Sequence, residues 1–211
     1  MELQVFFDYV CPYCYLGIHQ LEAILQNYPE IILKPVPVEI NPYGENGTAC
    51  SLSDDDEDTQ SDYSYADWYK DLKPHLDELG LPFDYPQTDS PSYVAIQGLL
   101  YLMAIGKDFF GYSRRVYNHV FKEGISLEDM DLIGDDVEAS GGSSTDFKRA
   151  IIEGTYTQAM KANNALAWDS LDLEAVPTYR FNAMMQLTST YGHAIALKQL
   201  EHFIANAADS R

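Results

Sequence analysis

Cysteine is scarce in this chain: there are three among 211 residues, an odd number, and two of them fall in one motif. That count excludes a secreted disulfide framework, which needs paired cysteines spread along a short chain. Basic side chains are scarce as well, 13 against 33 acidic ones, for a formal charge of −20. Nucleic acid and anionic membrane surfaces repel such a protein, so neither is expected as a partner. No run approaches the ~18 uninterrupted apolar residues of a membrane span. The start carries no charged segment followed by an apolar one, and residue 3 already belongs to an alternating apolar pattern. The expectation is a protein that stays in the cytoplasm, where the Asn46-Gly47-Thr48 sequon has no meaning. The histidines, His19, His75, His119, His193 and His202, share no metal-ligand spacing. Neither a metal nor a catalytic histidine is expected.

What is present begins with Leu3 to Leu25. Leu3, Val5 and Phe7 alternate with Glu2, Gln4 and Asp8 as in a strand, and Ile18, Leu21, Leu25 and Tyr28 then recur at helical steps. Between the two patterns stands Cys11-Pro12-Tyr13-Cys14. Pro12 suits the first turn of a helix, where its missing N–H costs nothing. Cys14 falls on the buried stripe, and Cys11, one turn earlier, is expected to be exposed. A helix N-terminus offers partial positive charge and unpaired N–H donors, both of which favour a thiolate. Two thiols at such a junction form a redox device. The competing readings are two small core residues or half of a four-ligand zinc site.

With 46% apolar residues, the chain can hold one large domain, or a core of ~100 residues with an inserted module. Ile31 to Ile40 reads as a second strand, and Pro35 and Pro37, both lacking a donor on the same side, make it an edge strand. A strand, a crossover helix and a parallel second strand place the dithiol at the carboxyl end of the first strand. Asn41 to Ser64 reads as a surface loop with an acidic run, Asp54 to Asp58. Thr59 and Ser64 stand where a calcium loop needs glycine and glutamate, so the run is no such loop. Cys50 lies here and reads as a bystander thiol.

Residues 65–170 carry consecutive helical patterns: Tyr65 to Leu79, Val94 to Ile105, Phe109 to Phe121, a short stretch capped within Ser126-Leu127-Glu128-Asp129, then Asp146 to Glu153 and Thr155 to Leu166. Trp68, Tyr101, Met103, Phe109 and Phe110 read as core, with the lining of a substrate groove as the alternative. Arg114 and Arg115 read as a solvated helix face, with a substrate carboxylate as the alternative. The pattern becomes β again at Val176 to Phe181, turns at Asn182-Ala183, returns through Met184 to Thr188, and ends in a helix from His193 to Ala207. The expected architecture is α/β: a thioredoxin-like fold in two parts, 1–64 and 171–211, with an all-helical domain inserted at 65–170.

Phe7-Asp8-Tyr9-Val10-Cys11-Pro12-Tyr13-Cys14-Tyr15-Leu16-Gly17, together with Ala175-Val176-Pro177-Thr178-Tyr179 before a final hairpin, resembles the DsbA-like thioredoxin-fold oxidoreductases, in particular the FrnE-type cytoplasmic branch. The resemblance implies that Cys11 is the nucleophile and Cys14 the resolving thiol. It also implies a cis Pro177 facing the dithiol. Val176, Pro177 and Thr178, with Pro12 and Tyr13, would then hold the substrate.

The implied activity is thiol-disulfide exchange on disulfide-containing proteins or glutathione, with no bound cofactor, as a monomer or homodimer. Cys-Pro-Tyr-Cys also occurs in glutaredoxins, which leaves the direction of exchange open. Two other readings stand beside it. One is a glutathione-dependent transferase or isomerase of the 2-hydroxychromene-2-carboxylate isomerase type, whose members typically have serine at the position of Cys11. The other is a non-enzymatic, chaperone-like binding module.

Overall fold

A computed structural model describes residues 1–40, 65–84, 91–190 and 193–209, with side chains from residue 69 in the second of these segments. Asn46-Gly47-Thr48, Cys50, the acidic run and the side chain of Trp68 lie outside that description.

The first strand, β1 (Glu2–Phe7), feeds the helix α1 (Pro12–Leu25), which returns to β2 (Ile32–Pro37). β1 and β2 pair in parallel, with Val5 opposite Pro35 and Phe7 opposite Pro37. The N–H groups of Ile32 and Val38 donate to the carbonyls of Met1 and Phe7. By the two-residue period of a strand, Pro35 and Pro37 therefore direct their missing donors to the free edge. Among the described residues that edge has no neighbouring strand, because the sheet runs β2-β1-β3-β4, with β3 (Thr178–Asn182) antiparallel to both β1 and β4 (Met185–Thr188).

Among the described residues, six helices lie between β2 and β3 in the chain: α2 (Tyr65–Glu78), α3 (Tyr93–Ala104), α4 (Phe109–Phe121), α5 (Met130–Ala139), α6 (Ser144–Ile152) and α7 (Thr157–Asn164). A π-helical turn, Ala165–Ser170, prolongs α7. Local chemistry sets their limits. Asp108 caps α4 through the N–H groups of Phe110 and Gly111, Ser143 caps α6 through that of Asp146, and α2 stops before Gly80, whose φ is +64°. Asp129 caps α5 by accepting from Asp131 and Leu132, so the cap sits at the last residue of Ser126-Leu127-Glu128-Asp129 and not at its serine.

β1 departs from the alternation read in its sequence. Phe6 and Asp8 are as fully buried as Val5 and Phe7, because helices cover the central strand on both faces, as parallel pairing in α/β folds requires. Burying each phenylalanine contributes roughly 1.5–3 kcal/mol. α1 packs on α4, with Tyr15 stacked on Phe121 at 5.1 Å, and on the last helix, α8 (Leu197–Asp209).

Two further boundaries differ from the sequence reading. The hairpin turns at Ala183-Met184, neither of which has positive φ, and the Asn182 side chain closes it by accepting from the N–H groups of Met184 and Met185. Residues 193–196 are not helical. The Ser189 hydroxyl takes the carbonyl of His193 and Asp71 takes the N–H of Ala194, so tertiary partners claim the groups that would have opened an earlier turn.

Candidate active site

Cys11 is the N-cap of α1, with extended φ and ψ of −87° and 118°. Its sulfur accepts the N–H of Cys14 at 3.4 Å, and its thiol reaches the carbonyl oxygen of Val176 at 3.6 Å. Cys14 stands one turn deeper and is wholly buried, and both residues are free thiols. Cys11 is not the exposed residue that the helix position alone suggests, since only 5% of its surface reaches solvent. The loop before β3 folds over it, and Val176 lies against the sulfur.

That loop joins the two motifs, which are far apart in sequence. The Val176–Pro177 peptide bond is cis. Thr178 fixes the strand start, its hydroxyl donating to the carbonyl of Ala175 at 2.8 Å and lying 3.0 Å from the hydroxyl of Thr188. Val176, Pro177 and Thr178 are buried, whereas Pro12 and Tyr13, in the first turn of α1, remain half-buried. All seven residues singled out in the two motifs thus flank the ends of α1 and β3. Arg114 pairs with Glu22 of α1 and stays partly exposed.

Behind the dithiol the sequence concealed a buried acid. Asp8 follows β1, accepts the N–H of Ile40 at 2.8 Å and of Val10 at 3.3 Å, and is completely enclosed. Burial holds its carboxyl up at about 6, despite those hydrogen bonds. Its backbone carbonyl accepts the N–H of Cys11 and the hydroxyl of Tyr117. A single residue therefore sets the turn before Cys11 and the exit of the chain from β2. Its place in an alternating strand pattern gave no sign of this. Burial also pushes the Cys14 thiol well up, and the adjoining Cys11 adds to that effect. Cys14 gives up its proton reluctantly, as suits a second-step thiol.

The groove beside this loop was likewise invisible in the sequence. It holds about 350 Å³ and is lined by Ile40, Trp168, Leu173 and Val176, with Glu39 and Glu174. Trp168 is placed by the π-helical turn, a feature frequent at functional sites. Among the described residues, no group of three or more His, Cys, Asp or Glu side chains is placed to hold a metal, and no helix is long and apolar enough to cross a membrane.

A family model described as the DSBA-like thioredoxin domain matches residues 2–199. The chain belongs to this family. It joins a helical block to a thioredoxin-type sheet. A Bacillus subtilis (strain 168) relative, the uncharacterized protein YwbO, is 25% identical over 181 residues, covering 85% of this chain and 86% of its own. In structure, the DSBA-like fold here is similar to a 2-hydroxychromene-2-carboxylate isomerase, with a TM-score of 0.66, 17% identity, and coverage of 100% of this chain and 95% of that one. It is also similar to the cytosolic disulfide reductase DsbM from Pseudomonas aeruginosa with GSH, with a TM-score of 0.65, 14% identity, and coverage of 99% and 100%. These two likenesses concern the fold alone.

Proposed function

We propose that the protein is a cytoplasmic thiol-disulfide oxidoreductase of the FrnE type, in which Cys11 exchanges with substrate and Cys14 resolves. The observation that carries this reading is the graded placement of the two sulfurs. Cys11 sits at the mouth of α1 against Val176, and Cys14 lies sealed one turn behind it. In the reductive direction, the Cys11 thiolate attacks a substrate disulfide, forming a mixed disulfide and releasing one substrate thiolate. Cys14 then attacks the Cys11 sulfur, and the second substrate thiolate leaves as the Cys11–Cys14 disulfide closes. Two electrons pass to the substrate, and the oxidative direction is the reverse. The N–H of Cys14 donates to the Cys11 sulfur, and such a bond strengthens when the acceptor is anionic. Val176 turns its backbone toward an extended substrate segment, Pro177 and Thr178 hold that loop at the start of β3, which is paired on both sides, and Pro12 and Tyr13 border the sulfur.

The substrates are disulfide-bearing proteins or glutathione, and no bound cofactor takes part. The test is substitution: Cys14→Ser accumulates a mixed disulfide with substrate, and Cys11→Ser does not. Equal trapping by both variants removes the assigned roles.

A second reading, glutathione-dependent isomerisation or transfer, draws on the fold shared with 2-hydroxychromene-2-carboxylate isomerase. Under it, Cys11 only polarises a glutathione thiol and Cys14 is dispensable. Turnover of an aromatic substrate that survives Cys14→Ala selects that reading over disulfide exchange. The intact cysteine pair favours exchange.

A further inference from the structure

The groove beside the Val176 loop has a charge that the exchange chemistry does not need. Among the described residues its lining is apolar in Ile40, Trp168, Leu173, Ala175 and Val176, and its charged members are two carboxylates, Glu39 and Glu174, with no basic side chain. Glu174 is exposed at the rim, whereas Glu39 is 95% buried, its relative exposure being only 5%. The Asn164 side chain holds Glu39 at both ends, accepting its backbone N–H at 3.0 Å and donating to Oε2 at 3.4 Å. The second of these bonds is long. Among the described residues Asn164 is the partner of the Glu39 carboxylate, which leaves it acceptor capacity in a buried setting where a weakly compensated anion is costly. Burial, and after it the charge of Asp8, raise its carboxyl above the ordinary value, and a cation alongside would relieve both.

The groove is continuous with the dithiol through one residue. Val176 lines it and also carries the carbonyl that meets the Cys11 thiol. When a substrate half-cystine lies at Cys11, the residues flanking it in an extended segment pass over this groove. An aliphatic stem ending in an ammonium or guanidinium matches it, with its methylenes on Ile40 and Leu173, its charge between the carboxylates, and the indole of Trp168 as a further surface for a cation. Oxidised glutathione matches it less well, since each half sets two carboxylates against a single ammonium at a site already holding two carboxylates.

Building on the exchange reading above, we infer that the Glu39–Glu174 groove selects polypeptide disulfides whose half-cystine is flanked by lysine or arginine, and discriminates against glutathione disulfide and acidic segments. The test uses the reduced full-length protein and three probes. Two are peptide disulfides of equal length, flanked by lysines or by glutamates, and the third is oxidised glutathione. The readout is the second-order rate of thiol release. The lysine peptide is expected to react at least about tenfold faster than the glutamate peptide, and faster than oxidised glutathione.

Because the whole chain is strongly acidic, some preference for cations comes from long-range steering. Single charge removals separate the two effects. Glu39→Gln and Glu174→Gln each lower the lysine-to-glutamate ratio about threefold or more, while Glu138→Gln, at an exposed position on α5, leaves it in place. Glu174 is exposed, so its variant reports even where the buried Glu39 substitution disturbs folding. A ratio near one in the wild type, or a ratio that follows Glu138→Gln as closely as Glu174→Gln, overturns the selectivity and leaves disulfide exchange standing. No thiol release from any of the three disulfides overturns both.

Discussion

The thiol of Cys11 lies 3.6 Å from the carbonyl oxygen of Val176, a contact between residues 165 positions apart. Through it the loop before β3 caps the first thiol, and the helix body seals the second. The two sulfurs should therefore differ sharply toward a small electrophile. In the reduced protein at neutral pH, iodoacetamide is expected to modify Cys11 at least about 100-fold faster than Cys14, whose thiol burial holds up and out of reach. Peptide mapping of the alkylated protein over time checks this. Comparable rates at the two positions would remove the division of labour on which the exchange mechanism depends.

Asp8 predicts an unusual acid response. Its carboxyl titrates at about 6 in the folded chain against an ordinary 3.8, so between those values the native state holds a proton that the unfolded state releases. Stability from this group is thus greatest at acid pH and falls as pH rises from about 4 to about 6, by up to about 3 kcal/mol. Asp8→Asn removes that slope. The variant should be the less stable protein at pH 4, since an amide accepts only one of the N–H bonds from Val10 and Ile40. Its deficit should shrink or reverse by pH 7. Urea unfolding of both proteins across that range checks the prediction, and parallel curves would contradict it.

The parts of the site that were legible in the sequence were those carried by contiguous motifs. Cys11 to Cys14 declared a strand-to-helix junction, and Val176-Pro177-Thr178 declared its partner loop through family resemblance. Pro35 and Pro37 marked the edge strand because a missing donor is visible in a sequence. Asp8 was hidden because strand alternation assigns a polar residue to solvent, and only helices on both faces of β1 reverse that assignment. The groove was hidden for a different reason. Glu39 and the stretch from Trp168 to Glu174 come from distant places in the chain, and the π-helical turn that places Trp168 leaves no signature in spacing. The cover over Cys11 depends on the same long-range packing, which is why a helix-mouth thiol was expected to be open.

His119 joins α4 to α5. Its Nε2 lies 2.9 Å from Asp136 and its Nδ1 2.8 Å from Glu123, so the protonated ring donates to both carboxylates. The bond to Asp136, above all, raises its pKa against the opposing effect of burial. A folded pKa above the unfolded value of about 6.5 gives stabilisation that is complete below that value and is lost as pH rises through the folded one. His119→Gln should therefore cost more at pH 6 than at pH 9, by about 1 kcal/mol given the partial exposure of the pair. Denaturant midpoints of wild type and variant at the two pH values decide it, and an equal cost at both would show that the ring acts by packing alone.

Gly17 meets Tyr179 where α1 crosses the sheet. A methyl group at position 17 would overlap the Tyr179 hydroxyl and lie 3.1 Å from Cγ of Pro177. Alanine ordinarily stabilises a helix by about 0.5–1 kcal/mol relative to glycine. Here Gly17→Ala should instead destabilise by about 1–3 kcal/mol, the cost of overpacking, and should slow exchange, because α1 carries both cysteines toward the Val176 loop. Among the described residues the buried Tyr179 hydroxyl has no hydrogen-bond partner, so Tyr179→Phe alone should be neutral or stabilise by up to about 1 kcal/mol. With that oxygen gone, the nearest remaining ring atom is the carbon that bore it, 3.5 Å from the added methyl, an ordinary contact. The double variant should therefore recover most of the loss, giving a coupling of at least about 1 kcal/mol in a double-mutant cycle read by urea unfolding. Additive effects would mean that Pro177, and not the tyrosine oxygen, sets how closely the helix bearing the dithiol approaches the sheet.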